Sequence, residues 1–536
     1  MMHQMGTVSP SLEEFRELAR HHRVIPVRTT VMADALTPIG IYRSLVLRED
    51  GTAPSGTFLM ESAAQGIWSR WSFIGAGSRA TLISRDGQAH WVGDVPVGLP
   101  TEGSPVEALR ETLAVLATER FDDAPPLSSG MVGFLGWEVV RRWERLPDPP
   151  LDDLRIPELA MNLVSEMAVH DNTDGSVTLV ANAYNADGTD ERVDEAWLDA
   201  VERLDGMLEK LDRPSSQAPV SIAEDVIDRD RIEEAVQQSW PREDFLSAIE
   251  EAKQAIVDGE IFQVVISRRF ETECTADPLE VYRMLRSINP SPYMYLYAFE
   301  DAEGRPFHVV GSSPEALVNV SDGQVVTHPI AGSRPRGATA EQDQALGQEL
   351  LADEKERAEH LMLVDLSRND LSKVCEPGSV EVTEFMAIER FSHIMHLCSN
   401  VVGRMRPDVS AYDVLAAAFP AGTLSGAPKP RALKLLDEYE PRRRAVYGGV
   451  VGYMDFAGSM DVAIAIRSAL LVDGRAYVQA GGGIVADSVP ETEALESLNK
   501  AAAPLRAALA AQSVRRPRRL SADARQQVDA AEGAAR

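Results

Sequence analysis

At 536 residues, with 44% hydrophobic and 25% charged residues, the chain has the balance of a globular enzyme and enough length for a large core or more than one domain. Its net charge of −30 argues against general nucleic-acid binding and against docking on anionic membranes. An anionic substrate would need a local arginine or metal site to work against that field.

The N-terminal residues show no charged-then-apolar signal pattern; SLEEFR at 11–16 predicts a capped amphipathic helix instead. Short β-type runs follow between 24 and 85: IYRSLVL at 41–47, GTFLMESA at 56–63 and WSFIG at 71–75. Glu61 and Ser62 close an apolar strand, either as an edge turning polar or as groups presented to a ligand. A helix is expected over 104–118, a Gly-spaced strand with a close neighbour over 130–137, a strand over 177–182 and a helix over 194–211. The polar, then acidic stretch 213–240 predicts a linker between an N-terminal part, 1–212, and a C-terminal part, 241–512.

The second part opens with a helix from Pro241 to Gly259 whose apolar stripe is Phe245, Ile249, Ala252 and Ile256. IFQVVISRRF at 261–270 predicts a strand, and Gln263 on its apolar face needs a partner or a site. Asp322-Gly323 and Asp473-Gly474, each between two β-type runs, are strong hairpin signals. Hairpins interspersed with helices predict an α+β fold, large antiparallel sheets flanked by helices. The tail 513–536, rich in Arg, Ala and Asp, has no periodic apolar face and is expected to be disordered.

Chemistry-bearing patterns lie in this second part. The stretch 353–370 predicts a helix with Glu356 and Glu359 on one face beside Leu363, and the helix start at 490–500 repeats the theme with Glu493 and Glu496. Two such pairs suit one hard cation such as Mg²⁺, which prefers oxygen ligands; a solvated charged helix is the plainer alternative. HPIAGSRPRG at 328–337 and AGGGI at 480–484 are loops whose backbone N–H groups are able to approach an anion, or basic and flexible turns. FPAGTLSGAPKPR at 419–431 predicts a long loop of small residues. Arg467, in the apolar run VAIAIRS, calls for an anionic partner. His393 and His396 are three apart, and either is able to work near neutral pH or to sit in the core. Cys274, Cys375 and Cys398 have neither metal spacing nor a disulfide pattern, which fits a reducing cytoplasm, and no run is long enough to span a bilayer.

Taken in order, these segments resemble the chorismate-utilising enzymes, most closely the large subunit (component I) of anthranilate synthase. The blocks that carry the likeness are IFQVVISRR, NPSPYMYL, GSSPE, HPIAGSRPRG, AEHLMLVDLSRNDL, FSHIMHL, FPAGTLSGAPKPRA, YGGVVGY, AIAIRS, QAGGGIVADS and the Glu-rich helix ending in LNK, within about 240–502. FLMESA extends a weaker likeness into the N-terminal part, and Ser333 stands where the family loop usually has Thr.

The resemblance implies a Mg²⁺ ion held by Glu359 and Glu496, with Glu356 and Glu493 behind them, gripping the ring carboxylate of chorismate. It implies chorismate contacts from Gly332, Ser333, Tyr447, Arg467, Gly481, Gly482 and Gly483. Glu315 would be the general acid for the departing 4-hydroxyl, and His396 would lie by the ring. Related isochorismate and salicylate synthases carry Lys where Gln263 stands, and aminodeoxychorismate synthases carry Lys where Ala331 stands. Gln263 therefore fits ammonia as nucleophile, and Ala331 favours anthranilate as product. No glutaminase domain is recognisable, so ammonia is expected from a separate glutamine amidotransferase subunit. Glu61, Ser62, Pro292, Tyr293 and Met294 match the motifs that bind feedback-inhibiting L-tryptophan. The alternatives are an aminodeoxychorismate or isochorismate synthase and, in another class, an inactive chorismate- or tryptophan-sensing protein.

Overall fold

The computed structural model describes residues 5–63, 70–121, 124–185, 189, 191–213, 220–222, 232–390 and 394–515. His393, most of the expected linker and the tail from 516 onward lie outside them; within them, Ser221 and Arg515 form an isolated bridge.

The strand pairs of the described residues are antiparallel, as the hairpin signals predict. Both Asp-Gly turns have two consecutive positive φ values, Asp322 at 50° and Gly323 at 74°, Asp473 at 52° and Gly474 at 71°, the geometry that matches strand twist. One run of strands crosses from the N-terminal to the C-terminal half. Trp71–Arg85 pairs with Thr57–Glu61, which pairs with Tyr293–Glu300, then Pro306–Ser313, Ser468–Val472, Arg475–Ile484 and Gln263–Glu273. A second run leads from Gly130–Leu135 through Val450–Asp455, Met460–Ile464, Ala316–Ser321 and Gln324–Thr327 to Ile394–Arg404. Ile394–Arg404 also pairs with Ile330–Pro335 and Glu381–Arg390. The Gly-spaced strand does have the close neighbour its pattern implies: a Cβ on Gly133 would lie 2.0 Å from the carbonyl of Ala160.

Four sequence expectations are corrected. IYRSLVL does not form a strand; Pro38–Leu45 is a helix, because the Thr37 side chain caps the backbone N–H of Gly40 and Pro38 sits in the first turn. Ile41, Tyr42 and Leu45 are then buried on one helical face. Arg467 is not inside a strand but between Met460–Ile464 and Ser468–Val472, with φ +52°. The three glycines at 481–483 form no loop; they lie within the strand Arg475–Ile484. The 419–431 stretch is only partly loop, since Gly422–Ser425 is a helical turn and Lys429–Tyr439 a helix.

Candidate active site

The two acidic helices, Glu354–Ser372 and Pro490–Ala511, converge on the glycine strand. Asp353 caps the first, its side chain accepting from the N–H groups of Lys355 and Glu356. The glycines are required by approach rather than by φ. A Cβ on Gly481 would lie 2.3 Å from the Ile266 carbonyl, one on Gly482 2.7 Å from Glu493 Oε2, and one on Gly483 2.2 Å from Gln263 Nε2. Bare backbone thus lets the carboxylates of one helix and a buried amide lie directly over the strand.

Gln263 Nε2 donates to Glu359 Oε1 at 3.3 Å, whereas its Oε1 is buried with no hydrogen-bond partner among the described residues. Glu356 Oε2 packs against Gly332, which takes φ +62°; a Cβ there would lie 3.0 Å from that oxygen. The Gly332 carbonyl accepts from His396 Nδ1 at 2.8 Å. A carbonyl only accepts, so the bond fixes the proton on Nδ1 and makes Nε2 the basic nitrogen. Burial holds the His396 pKa below its usual value. Ser333, next along, is exposed. Glu356 and Glu493 both have raised pKa values, chiefly from burial and then from their carboxylate neighbours Glu359 and Glu496. That crowding of oxygen donors fits a hard divalent cation. Glu359 and Glu496 do not stand bare, however, since Glu496 pairs with Lys500 Nζ at 2.7 Å.

Arg467, held by its left-handed backbone, sends Nη1 to the Lys500 carbonyl at 2.9 Å, and burial pulls its pKa down. Lys500 Nζ also reaches the Gly481 carbonyl at 3.2 Å. The Tyr447 hydroxyl meets the Gly481 backbone and is pushed up to about 12 by burial. Beneath this floor lies a fully buried pair, Arg444 and Glu440, at 2.6 Å. Glu440 Oε1 also accepts from the N–H and hydroxyl of Ser267, opposite Gly481, and Arg444 donates to the carbonyls of Leu424 and Val265. Every face of that pair is hydrogen-bonded, the condition under which a buried charge is tolerated.

Glu315 lies between the strands Pro306–Ser313 and Ala316–Ser321, and its Oε1 accepts from Thr423 Oγ1 at 3.0 Å. It lines a small cavity with Thr327, His328, Leu363, Leu366 and Thr423. Burial pushes its pKa up to about 7, against the opposing effects of the Thr423 bond and the charges of Lys500 and His328. Gln263, Glu359, Gly332, His396, Tyr447, Arg467 and the glycines thus form one contiguous surface with both acidic pairs, and Glu315 is near enough to feel Lys500. Thr423 and Lys500 were not singled out by sequence reasoning. Lys500, four residues after Glu496 on one helix face, carried a readable signal; Thr423 carried none beyond its place in a run of small residues.

The second predicted group lies at a different edge. Glu61 sits opposite Met294 in the strand pair. Its carboxylate accepts from Arg286 Nε at 2.7 Å and from the hydroxyl of Tyr282. Ser62 Oγ is buried with no hydrogen-bond partner among the described residues. The Ala63 N–H donates to the Ser291 carbonyl at 3.0 Å, beside Pro292, and the Tyr293 hydroxyl donates to Asp461 at 3.1 Å.

An antiparallel sheet with paired acidic helices over a glycine strand is the architecture of a chorismate-binding enzyme, and the chain belongs to that family, whose model matches residues 55–506. Within it, the chain is 65% identical over 508 residues to anthranilate synthase component 1 of Arthrobacter globiformis, covering 94% of each protein. It is 53% identical over 509 residues to that of Mycolicibacterium smegmatis, covering 95% of each. The crystal structure of anthranilate synthase component I from Streptococcus pneumoniae TIGR4 superposes with a TM-score of 0.70 at 34% identity, over 89% of this chain and 99% of that one. MenF, the menaquinone-specific isochorismate synthase of Escherichia coli, shares the fold at 19% identity and a TM-score of 0.64, over 93% of this chain and 98% of that one.

Proposed function

We propose that the chain is the chorismate-converting subunit of an anthranilate synthase, turning chorismate and ammonia into anthranilate, pyruvate and water. The observation that carries this is Gln263. Its amide cannot serve as the base that a lysine provides in water-using relatives. Its buried Oε1, without a hydrogen-bond partner among the described residues, is instead an acceptor for an N–H of ammonia. Ala331, where aminodeoxychorismate synthases carry Lys, points the same way.

Hydroxide leaves poorly unless protonated. A Glu315 carboxyl pushed up to about 7 still holds its proton near neutrality and donates it to the departing 4-hydroxyl. His396, with its proton fixed on Nδ1, offers Nε2 beside the ring for the departure or aromatisation step. Arg467, Tyr447, Gly332, Ser333 and the 481–483 backbone bind and orient the dianion. Glu359 and Glu496 would hold Mg²⁺, with Glu356 and Glu493 behind them. When bound there, the ion supplies positive charge to the ring carboxylate of chorismate.

Ammonia comes from a separate glutamine amidotransferase subunit, as the "component 1" names of the relatives suggest. Tryptophan inhibits at Glu61, Ser62, Pro292, Tyr293 and Met294, where the Ser62 hydroxyl, without a hydrogen-bond partner among the described residues, is available to the ligand's amino-acid end. The working compartment is the cytoplasm, which suits three free cysteines; among the described residues no helix is long and apolar enough to cross a membrane.

The test supplies chorismate, ammonium and Mg²⁺ and follows anthranilate fluorescence. Anthranilate is the expected product. Isochorismate or aminodeoxychorismate as product, or tryptophan binding without turnover, refutes the assignment.

A further inference from the structure

Three side chains, among them the His328 that lines the Glu315 cavity, turn their ligating atoms toward one another. They are His328, in the connection between the strands Gln324–Thr327 and Ile330–Pro335, Glu389 in Glu381–Arg390, and Cys398 in Ile394–Arg404. A nitrogen, a carboxylate oxygen and a sulfur there all lie within 4.8 Å of one another. Ile394–Arg404 carries Cys398 and pairs directly with the strand of Glu389 and with both strands that flank His328, which brings His328 to the other two from about 60 residues earlier.

We propose that His328, Glu389 and Cys398 form a site for a borderline-soft divalent cation of the Zn²⁺ class, distinct from the all-carboxylate Mg²⁺ site. Thiolate and imidazole ligands select such metals, whereas Mg²⁺ takes oxygen donors. Ligand atoms around a tetrahedral zinc stand roughly 3.3–3.7 Å apart, from bond lengths of about 2.0–2.3 Å. His328 Nε2 and Glu389 Oε1 already stand 3.2 Å apart. His328 Nδ1 lies 2.6 Å from Asn400 Oδ1, and Asn400 Nδ2 in turn donates to Glu384 Oε2 at 3.0 Å. Asn400 Oδ1 only accepts, so the proton is fixed on Nδ1 and Nε2 faces Glu389. Such an outer partner is what orients a metal-bound imidazole. Binding releases the Cys398 thiol proton and any proton on His328 Nε2 to solvent, leaving a three-ligand site with one open position.

Cys398 is two residues from His396 on one strand, and His328 opens the segment that carries Gly332. Closing ligands from as much as 4.8 Å to the roughly 3.3–3.7 Å spacing of a zinc site draws the elements that carry them together by up to about 1.5 Å. A misplacement of about 1 Å at a reacting group costs up to about a hundredfold in rate. Zinc is therefore expected to slow turnover tenfold or more; this consequence, unlike the site itself, rests on the role of His396 given above.

The experiment titrates the full-length chain with Co²⁺ in the presence of excess Mg²⁺ and reads the near-ultraviolet thiolate-to-cobalt absorption. Zn²⁺ is then added as competitor, and anthranilate formation is followed in parallel. A cobalt–thiolate band that Zn²⁺ displaces is expected in the wild type. It should be absent in Cys398→Ser and weakened at least tenfold in affinity in Glu389→Gln and Asn400→Ala. If Cys398→Ser does not fold, the latter two variants decide. No band in the wild type, a band that persists in folded Cys398→Ser, or unchanged affinity in both other variants overturns the site and leaves only a His–Glu ion pair beside a thiol. A band with turnover unaffected by Zn²⁺ overturns the coupling to His396 alone. Absence of anthranilate formation with chorismate, ammonium and Mg²⁺, before any Co²⁺ or Zn²⁺ is added, would instead refute the reading of the active site.

Discussion

Replacing Glu315 by Gln tests the acid and its environment at once. Burial moves this carboxyl from its usual 4.5 to about 7. At about 1.4 kcal/mol per pH unit, the displacement corresponds to roughly 3 kcal/mol. The folded pKa lies above the unfolded one, so the native state holds the proton more tightly. The stability this group contributes is whole below about pH 4.5 and is lost as the pH rises through about 7. Gln keeps the shape and the Thr423 bond but cannot ionise. Measured by urea unfolding, Glu315→Gln should gain on the wild type by about 2–3 kcal/mol between pH 5 and pH 8. In turnover the same variant should lose about a hundredfold to ten-thousandfold, the usual contribution of a positioned acid.

The wild-type rate should fall above about pH 7 as the acid is lost, once free ammonia is held constant by adjusting total ammonium. Thr423→Val removes the hydrogen bond that favours the ionised form, so its alkaline limb should move to higher pH. A Glu315→Gln enzyme with wild-type turnover at pH 6 would refute the assignment of the acid. A stability difference equal at pH 5 and pH 8 would refute the raised pKa.

Other outcomes follow from the same geometry. EDTA should abolish turnover, and Glu359→Gln or Glu496→Gln should each cost at least about a hundredfold; full activity in metal-free buffer would remove the cation from the account. The isolated chain should use ammonium but not glutamine, so glutamate release by the chain alone would contradict a separate glutaminase subunit. Arg444→Ala strands the buried Glu440 carboxylate and should destabilise the fold by about 3–5 kcal/mol, read by urea unfolding; a loss under 1 kcal/mol would mean that Glu440 finds another partner. Ser62→Leu should weaken tryptophan inhibition by roughly 1–3 kcal/mol while sparing uninhibited turnover, measured by tryptophan titration at fixed chorismate.

Much of the site was legible because its chemistry sits in local patterns. Glu356 with Glu359, and Glu493 with Glu496, are three apart on helices, so sequence spacing alone puts each pair on one face. What spacing cannot carry is what a residue approaches. The 481–483 glycines look like a turn in the sequence, since glycine runs usually are. They are strand residues, paired with Ser267, Ile266 and Val265, and they are glycines because the Ile266 carbonyl, Glu493 and Gln263 occupy the space a Cβ would take. Arg467 looked like an interior strand residue because its neighbours are apolar, and only the +52° φ reveals the corner it turns. IYRSLVL has the composition of a strand, but the capping bond from Thr37 and the Pro38 in the first turn outweigh β propensity. The partnership of Glu315 with Thr423 spans two distant segments, and no periodicity encodes it.

The corner at Arg467 also bears on how the proposed tryptophan site and the chemistry would communicate. The Arg467 carbonyl accepts from the Ser312 N–H at 3.2 Å. The buried Ser312 hydroxyl meets the Ser291 hydroxyl at 2.9 Å and bonds with Asn289. Ser291 in turn accepts at its carbonyl from Ala63, the residue after Ser62. On the far side, Arg467 holds the carbonyl of Lys500, whose ammonium pairs with Glu496. Contiguity alone is not coupling; both ends must bias one element with two arrangements. The left-handed backbone of Arg467 is the natural candidate, because a bulky residue with positive φ persists only while its neighbours hold it. Ser312→Ala removes the hydroxyl that ties this corner to Ser291 without touching chorismate. It should therefore reduce the effect of tryptophan on turnover more than it reduces tryptophan binding itself, measured by calorimetry beside the inhibition curve. Equal losses in the two would mean that Ser312 merely shapes the tryptophan site, and unchanged inhibition would place the coupling elsewhere in the sheet.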